Sequence, residues 1–273
     1  MNWESMDHSF CESKILGLPE YINSITSLFI SGFGLLGLFN TPKSNMYVDV
    51  IYALLFIVGF GSGGYHWTGN IGWAMFDEMP MIFSIFASII YIDSVSAYSG
   101  CKAAEYNRKT SICYPNYTQK CKLLIYLTNM VGFVICNTMN NYRRLFPGCF
   151  ALVMLYMYYK VFELYNITSP LMKKITINKM YFALKTVSIS AIIWATTEVS
   201  CTFIAHPIFL IGHPMWHFFV GHGFYNMIQI IYYVDKNDMN YNISYSYLYI
   251  IRITEAPAHI PSITSTFSSK IAN

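Results

Sequence analysis

The stretch GSGGYHWTGNIGWAMFDEMPM, residues 61–81, joins two apolar runs that are each long enough to cross a bilayer. The first run ends on a histidine, His66, and the second begins on two acids, Asp77 and Glu78. Ionisable groups are costly beside hydrocarbon, so residues of this kind point to function. Outward from this joint the pattern repeats. Residues 21–39, 46–65, 78–98, 122–137, 145–162, 180–200 and 213–234 are apolar, the fourth segment being the shortest. Lipid offers no partner to a backbone N–H or C=O, so each segment is expected to be a helix. The expected fold is an all-α membrane protein, a seven-transmembrane-helix bundle.

Composition agrees with that reading. Of 273 residues, 55% are hydrophobic and 11% charged, against about 25% charged in an ordinary soluble domain. That excludes a soluble core. A net charge of +3 is too small to argue for nucleic acid. The 23 Tyr and 20 Phe suit interfacial aromatic belts. The first 20 residues are polar and acidic, with no basic region leading into an apolar one, so the first span is expected to act as the insertion signal. The chain divides into an extramembrane segment (1–20), the seven-helix domain (21–234) and a polar cytoplasmic tail (235–273), expected to be disordered. The seven Cys include no CxxC pair.

Lys and Arg set the orientation. With the N-terminus outside or lumenal, the cytoplasmic side carries thirteen: Lys43, Lys102, Arg108, Lys109, Lys120, Lys122, Lys160, Lys173, Lys174, Lys179, Lys236, Arg252 and Lys270. The outer side carries three, Lys14, Arg143 and Arg144, of which the adjacent arginines are the discordant feature. This topology brings Ser62, His66, Asp77, His213 and His217 to one membrane face.

In HPMWH, His213 and His217 are four residues apart, which puts both imidazoles on one helical face. Such a pair can offer two ligands to a metal or line a polar helix contact. His66 adds a third candidate at the same depth. Three protein ligands with an open position is the arrangement of catalytic zinc, which ionises water near neutral pH. A carboxylate at the rim, Asp77, can take a proton from water and return it to a leaving group. Ser62 lies one turn before His66 and can donate to an oxyanion. Alternatively it belongs with Gly61, Gly63 and Gly64 to a small-residue stripe that lets helices approach. Glu78 is expected to point elsewhere, and Pro80 to sit in the first turn of its helix. His222 falls about 140° around the helix from His217 and faces away. His206 is in a loop, His259 in the tail, and His8 has no partner at useful spacing. Asp93 falls at the inner end of the third span. Asn116, Asn166 and Asn242 head glycosylation sequons on the cytoplasmic side, where no glycan is expected.

Taken in order, these residues resemble the alkaline ceramidases. GSGGYH followed by DEMPM is similar to that family's G-S-x-x-x-H and D-E-x-P-M, and HPMWH to its H-x-x-W-H. WATTEVSC (194–201) resembles its sixth-helix pattern of Trp, an acid and Cys, and FCES with PEYINSITS resembles its N-terminal C-E and E-x-x-N-[ST]. The wider superfamily also holds the adiponectin receptors and lipid-remodelling hydrolases. The resemblance implies a seven-helix intramembrane zinc amidase that splits ceramide into a sphingoid base and a fatty acid. His66, His213 and His217 would be zinc ligands, and Ser62 and Asp77 catalytic residues. The substrate would be a ceramide-like lipid, and the location an endomembrane such as endoplasmic reticulum or Golgi, or the plasma membrane in a prokaryote. An ester-cleaving hydrolase of the superfamily and a non-catalytic zinc-containing lipid receptor are the alternatives.

Two departures stand out. The family's N-terminal calcium site has Asp and Asn where this chain has Ser9 and Lys14, and only Glu12 and Glu20 match, so the calcium site is expected to be lost. The Lys14 ammonium is expected to pair with Glu12 or Glu20 in the cation's place. Pro214 disfavours helical backbone at His213, which is expected at the helix cap. The resemblance also places a Cys at both Cys11 and Cys201, which topology puts on the oxidising side. These two are expected to pair, holding a segment that lacks apolar residues to pin it. Cys136 and Cys149 are a competing pair, and Cys101, Cys113 and Cys121 are expected to stay reduced.

Overall fold

The computed structural model describes residues 10–42, 45–107, 117–138, 146–236 and 241–255, with side chains except at 98–107, 117–121 and 136–138. Among these residues eight α-helices follow one another: α1 (Cys11–Leu16), α2 (Tyr21–Asn40), α3 (Met46–Thr68), α4 (Ile71–Asn107), α5 (Tyr117–Thr138), α6 (Phe146–Ile167), α7 (Pro170–Phe203) and α8 (Gly212–Lys236). A short 3-10 turn, Pro207–Ile211, leads into α8, and an antiparallel hairpin, β1 (Tyr241–Tyr245) with β2 (Ile251–Glu255), comes after it.

Each apolar segment of the sequence falls on one of α2 to α8. Tyr21–Asn40, Met46–Thr68, Ile71–Ala97 and Pro170–Phe203 are long and apolar enough to cross a membrane. Phe39, Leu124, Leu152, Phe162, Ile192 and Phe203 are exposed on the outer faces of the bundle. An outward apolar surface of this extent belongs in lipid, so the chain is an integral membrane protein.

Helix α8 lacks such a span because it carries His213, His217, His222, Asn226 and Gln229. All five are buried, and residues 221–234 are buried without interruption. The helix is enclosed by α2, α3, α4, α7 and β2. Its polar groups are bonded to the elements around it. Asn226 Nδ2 donates to the Tyr249 carbonyl at 3.2 Å, its Oδ1 accepts from Ile251 N at 2.8 Å, and Gln229 Nε2 donates to Thr41 Oγ1 at 3.3 Å. Buried amides need such partners, and lipid supplies none.

Three expectations change. First, α4 starts at Ile71, because Asn70 Oδ1 accepts from Gly72 N at 2.8 Å and caps it there. Asp77 and Glu78 therefore lie in the second turn, and Pro80 is inside the helix, not in its first turn. Second, Lys160 is not in a connection: it is buried in α6 against Asp93 of α4. Third, the tail is ordered over residues 241–255. Tyr241, Ile251 and Ile253 turn inward, and the Tyr225 hydroxyl of α8 donates to the Ile251 carbonyl at 3.0 Å. Residues 256–273, and with them His259 and Lys270, lie outside the described residues, as do His8, Ser9, Lys43, Arg108, Lys109, Cys113, Asn116, Arg143 and Arg144. Of the other two sequons, Asn166 is the last residue but one of α6 and Asn242 is in β1.

Candidate metal centre

The three histidines come from two helix ends. His66 is near the C-terminus of α3, and His213 and His217 occupy the first turns of α8. His213 is not at the helix cap as expected: it is the second residue of its helix and Pro214 the third, where the missing proline N–H has no intrahelical partner to lose and so does not oppose the helix. Gly212 lets that turn lie against α7, since a Cβ there would meet Thr197 Oγ1 at 1.9 Å. All three imidazoles are buried, and one ligand atom from each lies within 4.8 Å of the others.

Each ring is held from outside the cluster, and always by the same nitrogen. His66 Nδ1 is 2.5 Å from Glu20 Oε2, His213 Nδ1 is 3.0 Å from Glu198 Oε1, and His217 Nδ1 is 3.0 Å from Thr26 Oγ1. The carboxylates accept, so the first two Nδ1 atoms carry the proton. Thr26 spends its own proton on the Ile22 carbonyl at 2.7 Å, so its oxygen accepts from His217. The Trp194 indole nitrogen is 3.3 Å from His213 Nδ1, a longer contact that a protonated Nδ1 does not accept. With all three protons on Nδ1, every Nε2 keeps its lone pair for a ligand bond. Three imidazoles with carboxylate or hydroxyl partners behind them form a donor set compatible with zinc.

Asp77 is buried at the same end of the bundle. Gly61 brings it there: a Cβ at Gly61 would meet the Phe76 carbonyl at 2.4 Å and Asp77 N at 2.7 Å, so only glycine lets α4 approach α3 this closely. Ser62, the next residue, is buried with its Oγ 3.1 Å from Ser27 Oγ of α2. The small-residue reading thus holds for Gly61, while Ser62 contributes a buried hydroxyl. His222 faces the hairpin, with Nε2 2.9 Å from the Leu248 carbonyl, and His206 caps the 3-10 turn through Ile208 N. Neither joins the cluster.

The N-terminal segment closes over this end. Cys11 and Cys201 are joined by a disulfide, and Cys149 carries a free thiol. The side chains of Cys101, Cys121 and Cys136 lie outside the described residues. Phe10 sets its ring against His213 at 4.8 Å and His66 at 5.2 Å between centroids. The Glu12 carboxylate accepts from Ile22 N and Asn23 N, both at 2.8 Å, and so caps α2. Glu20 serves His66. Lys14 is exposed and makes no ion pair among the described residues, so the expected pairing with Glu12 or Glu20 does not form. Its ammonium gains more from water than from two carboxylates already engaged by N–H donors.

Sequence reasoning gave no role to Phe10 or Thr26, read Glu20 only as a calcium position, and saw Glu198 only as one letter of a motif. The available signal was spacing: Glu198 is three residues before Cys201 and so shares its helical face. The model of the family described as Ceramidase matches residues 5–263, nearly the whole chain. No curated protein matches it.

Proposed function

The chain belongs to the ceramidase family, and from that membership we propose that it is a zinc-dependent intramembrane amidase cleaving ceramide or a closely related lipid to a sphingoid base and a fatty acid. The observation that carries the proposal is the histidine cluster, three buried rings whose Nδ1 atoms are all tied outward. His66, His213 and His217 would hold the ion through Nε2. Zinc in that position supplies a Lewis acid that lowers the pKa of water and polarises an amide carbonyl.

The chain's own groups do the rest. The Asp77 carboxylate takes a proton from the attacking water and returns it to the leaving nitrogen as the C–N bond breaks, so no proton is gained or lost. The Ser62 hydroxyl donates to the oxygen on which negative charge develops. Residues 21–234 form the hydrolase domain and cross the membrane seven times, with the N-terminus outside or lumenal and the C-terminus cytoplasmic. The alternation of α2 to α8 and the excess of Lys and Arg on one side support this. The disulfide suits an oxidising compartment at the zinc face, such as an endomembrane lumen. Ser9 and Lys14 support a reaction that needs no calcium at the N-terminal segment, and a calcium titration after chelation should leave the rate flat.

The test is purification in detergent, metal analysis, and incubation with a ceramide panel with products read by mass spectrometry. About one zinc per chain and release of a sphingoid base are expected. Zinc without cleavage of any amide, or cleavage of ester lipids only, would replace this reading by the receptor or the esterase.

A further inference from the structure

One carboxylate lies between the histidine cluster and the N-terminal segment. Glu198 of α7 uses both oxygens: Oε1 is 3.0 Å from His213 Nδ1, and Oε2 accepts from Cys11 N at 2.8 Å. Cys11 is the first residue of α1, and its N–H has no partner within that helix. Three residues further along α7, on the same face, Cys201 holds the side chain of the same Cys11 through the disulfide. Cys11 is thus gripped twice by one face of α7, at its backbone by Glu198 and at its sulfur by Cys201. The preceding residue, Phe10, lies edge-on against His213.

From this arrangement we infer that Glu198 is a positioning residue that couples the ligand His213 to the disulfide-held N-terminal segment, so that the segment sets how tightly zinc is bound. The inference rests on the zinc reading above. Its physical basis is geometric. A carboxylate that accepts from one imidazole alone can swing about its side-chain torsions. One that also accepts from a covalently tethered backbone N–H is fixed, and it fixes the imidazole in turn. Partners of this kind orient a metal ligand, and their loss weakens metal affinity by about ten- to a hundredfold. Cutting the disulfide frees Cys11 N, removes one of the two restraints on Glu198, and lets Phe10 leave the rings.

The test compares the full-length protein in detergent with Glu198→Gln, with the double variant Cys11→Ser/Cys201→Ser, and with all three changes combined. Zinc affinity is measured by competition with a chromophoric chelator, and ligand geometry by the visible spectrum of the cobalt-substituted protein. Glu198→Gln should weaken zinc by about ten- to a hundredfold and shift the cobalt bands. The disulfide variant should weaken zinc in the same direction, and the combined variant by less than the product of the two, because both act through one restraint. Conservative Glu198→Asp, one methylene short, should recover less than half of the lost affinity. Strictly multiplicative effects would overturn the coupling, and unchanged zinc affinity and cobalt spectrum in Glu198→Gln would overturn the positioning role. Should the wild type itself hold no zinc, the zinc reading and the inference fail together. A wild type that binds zinc while Glu198→Gln binds it equally well removes the inference alone.

Discussion

Two polar clusters are buried in this bundle, and they are built on opposite plans. At one end of α4, the three histidines are alike in charge and size, and each is bonded by a group outside the cluster. Toward the other end, Asp93 of α4 pairs with Lys160 of α6 at 2.6 Å. Tyr126 of α5 donates to the same carboxylate at 2.8 Å, and Glu163 also contacts Lys160. Here every charge is answered by a neighbour inside the cluster. A cluster that satisfies itself holds helices together; one that brings three ring nitrogens within 4.8 Å of one another could hold a metal ion. An ionisable residue in a membrane segment is therefore informative only once its partners are known. Asp93 shows this; it lies on the same helix as Asp77, sixteen residues further on, about 24 Å along its axis.

The contrast is open to attack at four points. The largest effect is expected from His217→Ala, which should abolish both bound zinc and ceramide cleavage while the protein stays folded. Equal zinc content in mutant and wild type, by elemental analysis, would remove the ligand assignment. Next comes Lys160→Met, which leaves Asp93 buried without its cation. Breaking a buried pair in this way costs about 3–5 kcal/mol, so thermal unfolding in detergent should occur well below the wild-type temperature with zinc content unchanged. Pairing it with Asp93→Leu should restore most of the loss. A zinc deficit in Lys160→Met, at normal stability, would show that the two clusters are not separate.

Asp77→Asn is the third. It should keep zinc and stability but lower the rate about a hundredfold, which corresponds to about 2.7 kcal/mol of barrier. Zinc lost together with activity would turn Asp77 into a ligand or a folding residue. The smallest effect is expected from Tyr126→Phe, which deletes the hydroxyl's hydrogen bonds to Asp93 and Tyr156, together worth about 1–2 kcal/mol. A modest fall in melting temperature at full activity is the outcome that keeps the Asp93 cluster structural.

The sequence located the helices because hydropathy is a local property: a run of apolar residues spans whether or not its neighbours are known. It located His66, His213 and His217 because the i, i+4 spacing and a shared membrane face are also countable along the chain. It misjudged residues whose meaning lies in a distant partner. Lys160 counts as a cytoplasmic charge until Asp93 is found beside it. Glu20 matches a calcium position by its motif alone, and its contact with His66 at 2.5 Å is invisible along the chain. The polar tail reads as disorder because its inward residues, Tyr241, Ile251 and Ile253, are few, and their burial depends on the surface of α8.

The amino-acid sequence by itself determined that this chain lies in a membrane, where its helices run, which three histidines could share an ion, and which family it resembles. Only the tertiary structure decided which nitrogen of each histidine faces outward, that Glu20, Thr26 and Glu198 are the groups holding them, and that Asp93 is neutralised within the protein. The physical reason is the reach of the interactions. Burial and helical periodicity act over a few residues and are written in order along the chain. A hydrogen bond between residues 187 positions apart, as from Cys11 to Glu198, depends on directions and distances to within an ångström, which packing alone sets.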